Sequence, residues 1–234
     1  MKKLLLTAAI LLLSALNALA LPGLEIAVGP YVGLYSPSLT TINDKVLIYD
    51  HQTALGSAAI FGGQIKLGLP MRLGGGVDLG YWSNSKEWTE DNQTEQHAYK
   101  IKLMPLNIFV QYAMPIVPAV MKAKAGVSVG NVWANLDVSE TQINLWNHYW
   151  NSEGSTSTYG IFGGLDLVVL PMFNISAEAG YKMGKVEQLI IKGCHEPEHI
   201  NDVYEYYDHD KDQNLPLPLE LNGVTAKLIV TYVF

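Results

Sequence analysis

Three groups of residues in this 234-residue chain carry side chains able to do chemistry. The densest is Cys194-His195-Glu196-Pro197-Glu198-His199, followed by Asp202, Glu205, Asp208, His209, Asp210 and Asp212. Imidazole and thiolate suit zinc, whereas carboxylates suit calcium or magnesium. Pro197 works against presenting His195 and His199 one helical turn apart. An acidic, solvated loop has the same composition, so no metal site and no cofactor are expected. The second group is a single residue, Ser157, placed where a lipid-modifying enzyme would keep its nucleophile. Such a serine needs a base beside it, and no histidine shares its face, so no catalytic residue and no enzyme activity are expected. The third group is a set of charges at alternating positions: Glu25, Lys66, Asp78, Lys122, Lys124, Asp166, Glu178 and Lys227, with Lys100, Lys102 and Lys182 further along their strands.

What positions these charges is a period of two. The last eleven residues before Phe234 split into Val224, Ala226, Leu228, Val230, Tyr232 against Gly223, Thr225, Lys227, Ile229, Thr231, Val233. One set is apolar and the other is mixed, as on a strand with two unlike faces. The pattern recurs over 23–35, 58–69, 73–82, 98–114, 119–137, 157–170 and 172–185, which predicts eight strands. In the fourth, Ile101 and Leu103 are the apolar set before Pro105, and Leu106, Ile108, Val110 and Tyr112 after it. That odd-to-even switch at a proline predicts a β-bulge. Long polar connections at 36–57, 83–97, 138–156 and 190–217 alternate with short ones at Pro70-Met71-Arg72, Pro115-Ile116-Val117-Pro118 and Pro171.

The chain opens with Lys2 and Lys3, an apolar run from Leu4 to Leu13, and Ala18-Leu19-Ala20. These are the n-region, h-region and small-residue site of an export signal over 1–20, leaving 21–234 as one barrel domain. The run is too short for a helical span. One cysteine, Cys194, excludes an intramolecular disulfide framework. A formal charge of −7 speaks against nucleic acid as a partner.

The export signal, the eight alternating strands, the three proline-marked turns and the terminal Tyr232-Val233-Phe234 together resemble the small eight-stranded outer-membrane β-barrels, similar to the OmpA transmembrane domain, OmpX and the OmpW family. The resemblance implies an all-β, antiparallel, up-and-down transmembrane barrel in the bacterial outer membrane. It also implies that Tyr232 and Phe234 form the signal recognised by the barrel-assembly machinery, and that lipid and lipopolysaccharide are the surroundings. The apolar face is nearly free of charge while the other face lacks the dense Lys/Glu cover of a soluble exterior, so the apolar face is placed in lipid. Aromatic residues at two levels, Tyr81, Tyr159 and Tyr181 above and Tyr112, Phe173, Tyr232 and Phe234 below, match two interfacial belts.

The charges then point inward, at similar heights. Mirroring about Arg72 makes Lys66 and Asp78 cross-strand neighbours. An eight-stranded barrel is only wide enough for side chains to fill it, so a salt-bridge layer blocking the lumen is expected, with Lys100, Lys102 and Lys182 leaving the upper lumen positive. The function expected is a non-enzymatic barrel with a structural or surface-interaction role. Its four acidic loops would display Trp88, Trp146, Trp150, Tyr204, Tyr206 and Tyr207 to an extracellular ligand or protein. A narrow passive pore for small solutes is the alternative.

Overall fold

Alternating residues extend the backbone, and a strand left with one unpaired edge in hydrocarbon would strand its polar groups at several kcal/mol each. The chain answers this by closing. A computed structural model describes residues 25–47, 52–69, 72–89, 95–142, 146–170 and 172–234. The expected export signal, Pro70, Met71 and Pro171 lie outside those residues. Eight long strands form: β1 (Glu25–Pro37), β2 (Ala58–Gly68), β3 (Leu73–Thr89), β4 (Glu95–Val117), β5 (Met121–Gln142), β6 (Trp146–Leu170), β7 (Phe173–Met183) and β8 (Gly223–Val233). Each pairs antiparallel with the next, and β8 returns to β1 through Val28↔Tyr232 and Leu34↔Ala226, sealing the ring. The backbone N–H of Phe234 donates to the Ile26 carbonyl at 2.9 Å, so the terminal residue is part of the seam.

The outer wall is a belt of exposed apolar side chains, among them Leu34, Phe61, Leu79, Ile108, Val127, Ile161 and Leu228. The same strands turn Gln64, Asp78, Asn107, Lys124, Asp166 and Ser176 into the buried interior. This is the reverse of a water-soluble barrel, and it suits a hydrocarbon solvent. Tyr81, Tyr159 and Tyr181 are exposed on the outer wall. At the turn end, Phe173, Tyr232 and Phe234 pack edge to face, with centroids 5.2 and 4.8 Å apart.

Three expectations need correction. The bulge at Pro105 is absent: β4 keeps one register against β5 from Glu95 to Pro115, including Met104↔Trp133, Pro105↔Val132 and Leu106↔Asn131, and shifts only between Pro115 and Val117. Odd residues face inward throughout. What changes at Pro105 is the solvent: above it the interior is apolar, so Ile101 and Leu103 are buried, while Leu106 and Ile108 below it meet lipid. Two of the expected long loops are instead long hairpins, since β3 runs to Thr89, β4 starts at Glu95, β5 runs to Gln142 and β6 starts at Trp146. Beyond the membrane both faces contact water, so the hydrophobic alternation fades while the hydrogen-bond ladder continues. The 69–73 hairpin pairs Gln64↔Asp78 and Lys66↔Gly76, two residues off the mirror about Arg72. Parity is kept, so both charges still face inward, but they are no longer opposite.

The face assignment predicts unequal costs along β4. Ile108→Arg sets a charge in the lipid belt and should destabilise by roughly 2–4 kcal/mol. Ile101→Ala empties a fully buried site and should cost about 2–5 kcal/mol. Urea unfolding in liposomes measures both; a near-neutral Ile101→Ala would mean that Ile101 points to lipid, as a bulge would require.

Candidate functional site

The interior is layered. In the mid-barrel, Lys227 on β8 reaches Asp78 on β3 at 2.9 Å, and the Asn107 amide donates to the same carboxylate at 2.7 Å. Lys227 has Glu178 as its direct cross-strand neighbour. Glu178 nevertheless accepts from Lys124 at 2.5 Å, and Lys124 also reaches Asp166 at 2.7 Å. Asp166 closes the chain by accepting from Lys66 at 2.9 Å and from the Ser176 hydroxyl at 2.6 Å. Three of these four ion pairs join strands that are not neighbours, and Lys66–Asp166 ties opposite walls, β2 and β6, together across the lumen. Buried charges need such pairing, because an uncompensated one costs several kcal/mol.

Six of the eight charges singled out from the sequence therefore meet in two groups: Lys227 with Asp78, and Lys66, Asp166, Lys124 and Glu178 in a chain. Glu25 and Lys122 do not join them. They line a cavity of about 230 Å³ at the short-turn end, together with Lys66, Arg72, Gln111 and Asp166. Lys66 and Asp78, expected as partners, bind elsewhere because of the register described above.

Tyr31 roofs this polar tier. Lys227 Nζ stands 4.3 Å above its ring centroid, a cation–π contact. The ring lies over the two neighbouring strands, where Gly62, its direct cross-strand partner, and Gly80 next along make room: a Cβ on Gly80 would lie 2.5 Å from the Tyr31 hydroxyl. That hydroxyl is buried without a hydrogen-bond partner.

Above Tyr31 the lumen is filled with hydrocarbon side chains of its own. Ile60, Trp82, Ile101, Leu103 and Leu136 from the wall meet Leu39, Ile42 and Leu47 from the β1–β2 connection and Leu189, Leu217 and Leu219 from the β7–β8 connection, all fully buried. Polar contacts fix this plug to the rim. Trp82 Nε1 donates to the Tyr35 carbonyl at 3.0 Å, Ser38 N to Asn222 O at 2.7 Å and Leu39 N to Glu220 O at 3.0 Å. The Tyr35 hydroxyl donates to the Leu221 carbonyl. The expected positive upper lumen is therefore an apolar one. Lys100 and Lys102 lie on the outward face of β4, and Lys102 pairs with Asp137 at 2.5 Å. Sequence reasoning missed the plug because leucines at irregular spacing inside polar segments carry no periodicity.

The extracellular-loop aromatics are also placed differently. Trp88, Trp150, Tyr204 and Tyr206 are half-buried against the plug, and Tyr207 alone among the six named is exposed. Trp88 stacks on His97 and Tyr99, with centroids 5.2 and 5.5 Å apart, and Trp146 lies on His148 at 4.4 Å. These rings hold hairpins and loop together rather than presenting a sticky face. A short strand, Ile190–Cys194, extends the sheet beside upper β6 through Trp150↔Cys194. In the following turn the Glu196 carboxylate stands 3.3 Å from His195 Nε2 and 3.2 Å from His199 Nε2, and Asp202 contacts His199 Nδ1 at 3.1 Å. Glu196, Glu198 and His199 are all solvent-exposed. Ser157 is exposed on the outer wall, and none of the six histidines follows it on β6.

Crowding around Tyr31 can be tested directly. Gly80→Ala should destabilise by about 1–3 kcal/mol through overpacking, and Tyr31→Phe should relieve most of that cost, because the hydroxyl is the nearest atom to the new methyl. Denaturation of the single and double variants checks this; equal losses in both would remove Tyr31 as the cause. In the loop, the hydrogen bond that His199 Nδ1 donates to the Asp202 carboxylate, aided by Glu196 and Glu198, raises the His199 pKa above its ordinary value. A raised pKa means that the protonated form is favoured in the fold. The turn's ionic hold is complete below pH of about 6.5 and is lost as pH rises through the raised value. Histidine NMR should show that titration, and Asp202→Asn should move it down.

No protein-family model matches this sequence, and no curated protein matches it in sequence. Among solved structures, a major outer membrane protein of Thermus thermophilus superposes with a TM-score of 0.52 at 12% identity, over 91% of this chain and 100% of its own. Neisserial surface protein A gives 0.46 at 15% identity, over 90% and 96%, and Ail of Yersinia pestis 0.43 at 11%, over 92% and 100%. The chain has the fold of the small bacterial outer-membrane β-barrels.

Proposed function

We propose that this protein is an integral barrel of the bacterial outer membrane that neither catalyses nor conducts, and that acts through its extracellular hairpins and cap. The observation that carries this reading is the double closure of the lumen. A mid-barrel network of paired charges lies under a plug of leucine, isoleucine and tryptophan, and the plug is built from two separate connections pinned to the rim. A permeating ion would meet the polar tier from one side and a dry, apolar one from the other. The short turns face the periplasm, and Tyr232 and Phe234, seated at that end of the β8 seam, are the residues offered to the assembly machinery. Lipid and lipopolysaccharide surround the apolar belt.

The outward surface then lies on the cap. It is acidic at Glu198, Asp202, Asp210 and Asp212, and it carries exposed Tyr149, Ile200 and Tyr207. Lys45 pairs with Asp210 and so ties the two plug-forming connections into one surface. Such a surface suits an extracellular protein or other ligand bound by polar contacts around a few rings.

Planar-bilayer recording of the purified barrel should give no steady single-channel steps. Steady conductance that changes when Asp78 or Lys227 is neutralised would support the narrow-pore alternative instead. In cells, the heat-modifiable protein should fractionate with outer membranes, and added protease should cut first within 198–212.

A further inference from the structure

One charge of the mid-barrel stands outside both ion-pair groups. Lys182, on the inward face of β7, is 8% exposed, and among the described residues it makes no salt bridge. The charges it senses are Lys227 and Asp78, and Asp78 is already bound by Lys227. Its two neighbours along the ladder are glycines, Gly160 on β6 and Gly223 on β8, which offer no side-chain acceptor. A cavity of about 30 Å³ adjoins Lys182, lined also by Lys227, Gln64, Ser128, Thr225 and the carboxylates of Asp78 and Glu178.

Charge counting makes that space significant. The interior network holds four lysines, Lys66, Lys124, Lys182 and Lys227, against three carboxylates, Asp78, Asp166 and Glu178. Each carboxylate is already engaged by a lysine other than Lys182. One positive charge is left over inside a wall whose outer side is hydrocarbon. An isolated buried ammonium is costly unless it is paired. A cavity of this size holds about one or two water-sized species, which excludes carboxylates and phosphates but admits a halide. Besides the ammonium groups, Ser128, Thr225 and Gln64 bring hydroxyl and amide donors to the lining, and a halide accepts from groups of both kinds.

We propose that this cavity is a resident small-anion site of the chloride class, with Lys182 as its principal ligand and the anion as that lysine's counter-ion. The inference deepens the reading of a closed lumen, which would make the ion resident rather than in exchange with the bath, while the ligands themselves come from the wall. The site is structural: it neutralises the one charge that the glycine row leaves without a protein partner.

Bromide tests it. Crystals of the detergent-purified barrel grown with sodium bromide should show an anomalous peak in contact with Lys182 Nζ, and Lys182→Met should lose that peak. In solution, the wild-type unfolding midpoint should rise on replacing sodium gluconate by sodium chloride at constant ionic strength, and the Lys182→Met midpoint should not respond. Bromide found on the surface alone is an adventitious ion only, and overturns the site; so does a peak that survives Lys182→Met. The two readings also fail separately. A conducting barrel with bromide fixed at Lys182 defeats the closed lumen and keeps the ion site, whereas an electrically silent barrel with no bromide there defeats the ion site alone.

Discussion

The width of the lumen governs this structure. Eight strands enclose a column that side chains can just fill, so every inward residue competes for the same narrow space with residues from seven other strands. Glycine is one way to relieve the crowding. Tyr31 finds room because Gly62 on the adjacent strand and Gly80 beyond it carry no side chain, and Lys182 has only glycines, Gly160 and Gly223, beside it along the ladder. Ion pairing is the other. Lys124 is packed with no exposed side-chain surface between Asp166 and Glu178, and so occupies space that two separately solvated carboxylates could not share.

The same constraint explains why the interior changes character with height. In the mid-barrel, the wall faces hydrocarbon on its outer side, and the interior is where polar side chains can be satisfied, by one another. Toward the extracellular rim the outer surface becomes polar, as Lys100, Lys102 and Asp137 on the outward face show. The apolar residues there have only one dry place to go, which is inward. Strand β4 runs through both regimes without altering its register. Its inward face is Ile101 and Leu103 above Pro105, and Asn107 and Gln111 below it.

That inversion marks what a sequence can and cannot disclose. Strand existence and the ring of eight were legible, because each rests on alternation, and alternation reports directly on two unlike faces. The face of Lys100 and Lys102 was misread, because the same alternation changes meaning where the outer solvent does. Partner identity was not legible. Moving a hairpin register by two residues preserves every face yet exchanges the neighbours, which is why Lys66 binds Asp166 and Asp78 binds Lys227. The apparent bulge at Pro105 came from treating a change of solvent as a change of backbone. The plug was invisible for a third reason. Leu39, Ile42, Leu47, Leu189, Leu217 and Leu219 lie in irregular segments, and only the tertiary fold brings them together.

The two closures of the lumen differ in what holds them. The ionic tier is held by pairs between strands fixed in the ring, so its geometry follows from barrel closure and involves no loop. The plug depends on two connections reaching back into the mouth, where Tyr35 grips the second through the Leu221 carbonyl and is itself held by Trp82, which donates to the Tyr35 carbonyl. Local openings in proteins favour segments with few buried contacts, and here the connections are divided: Leu39, Ile42, Leu47, Leu189, Leu217 and Leu219 are fully buried, while 196–202 and 209–214 are exposed throughout. The buried leucines anchor the base of each connection, so opening by local unfolding falls to the exposed segments that carry Ile200, Asp202 and Asp210.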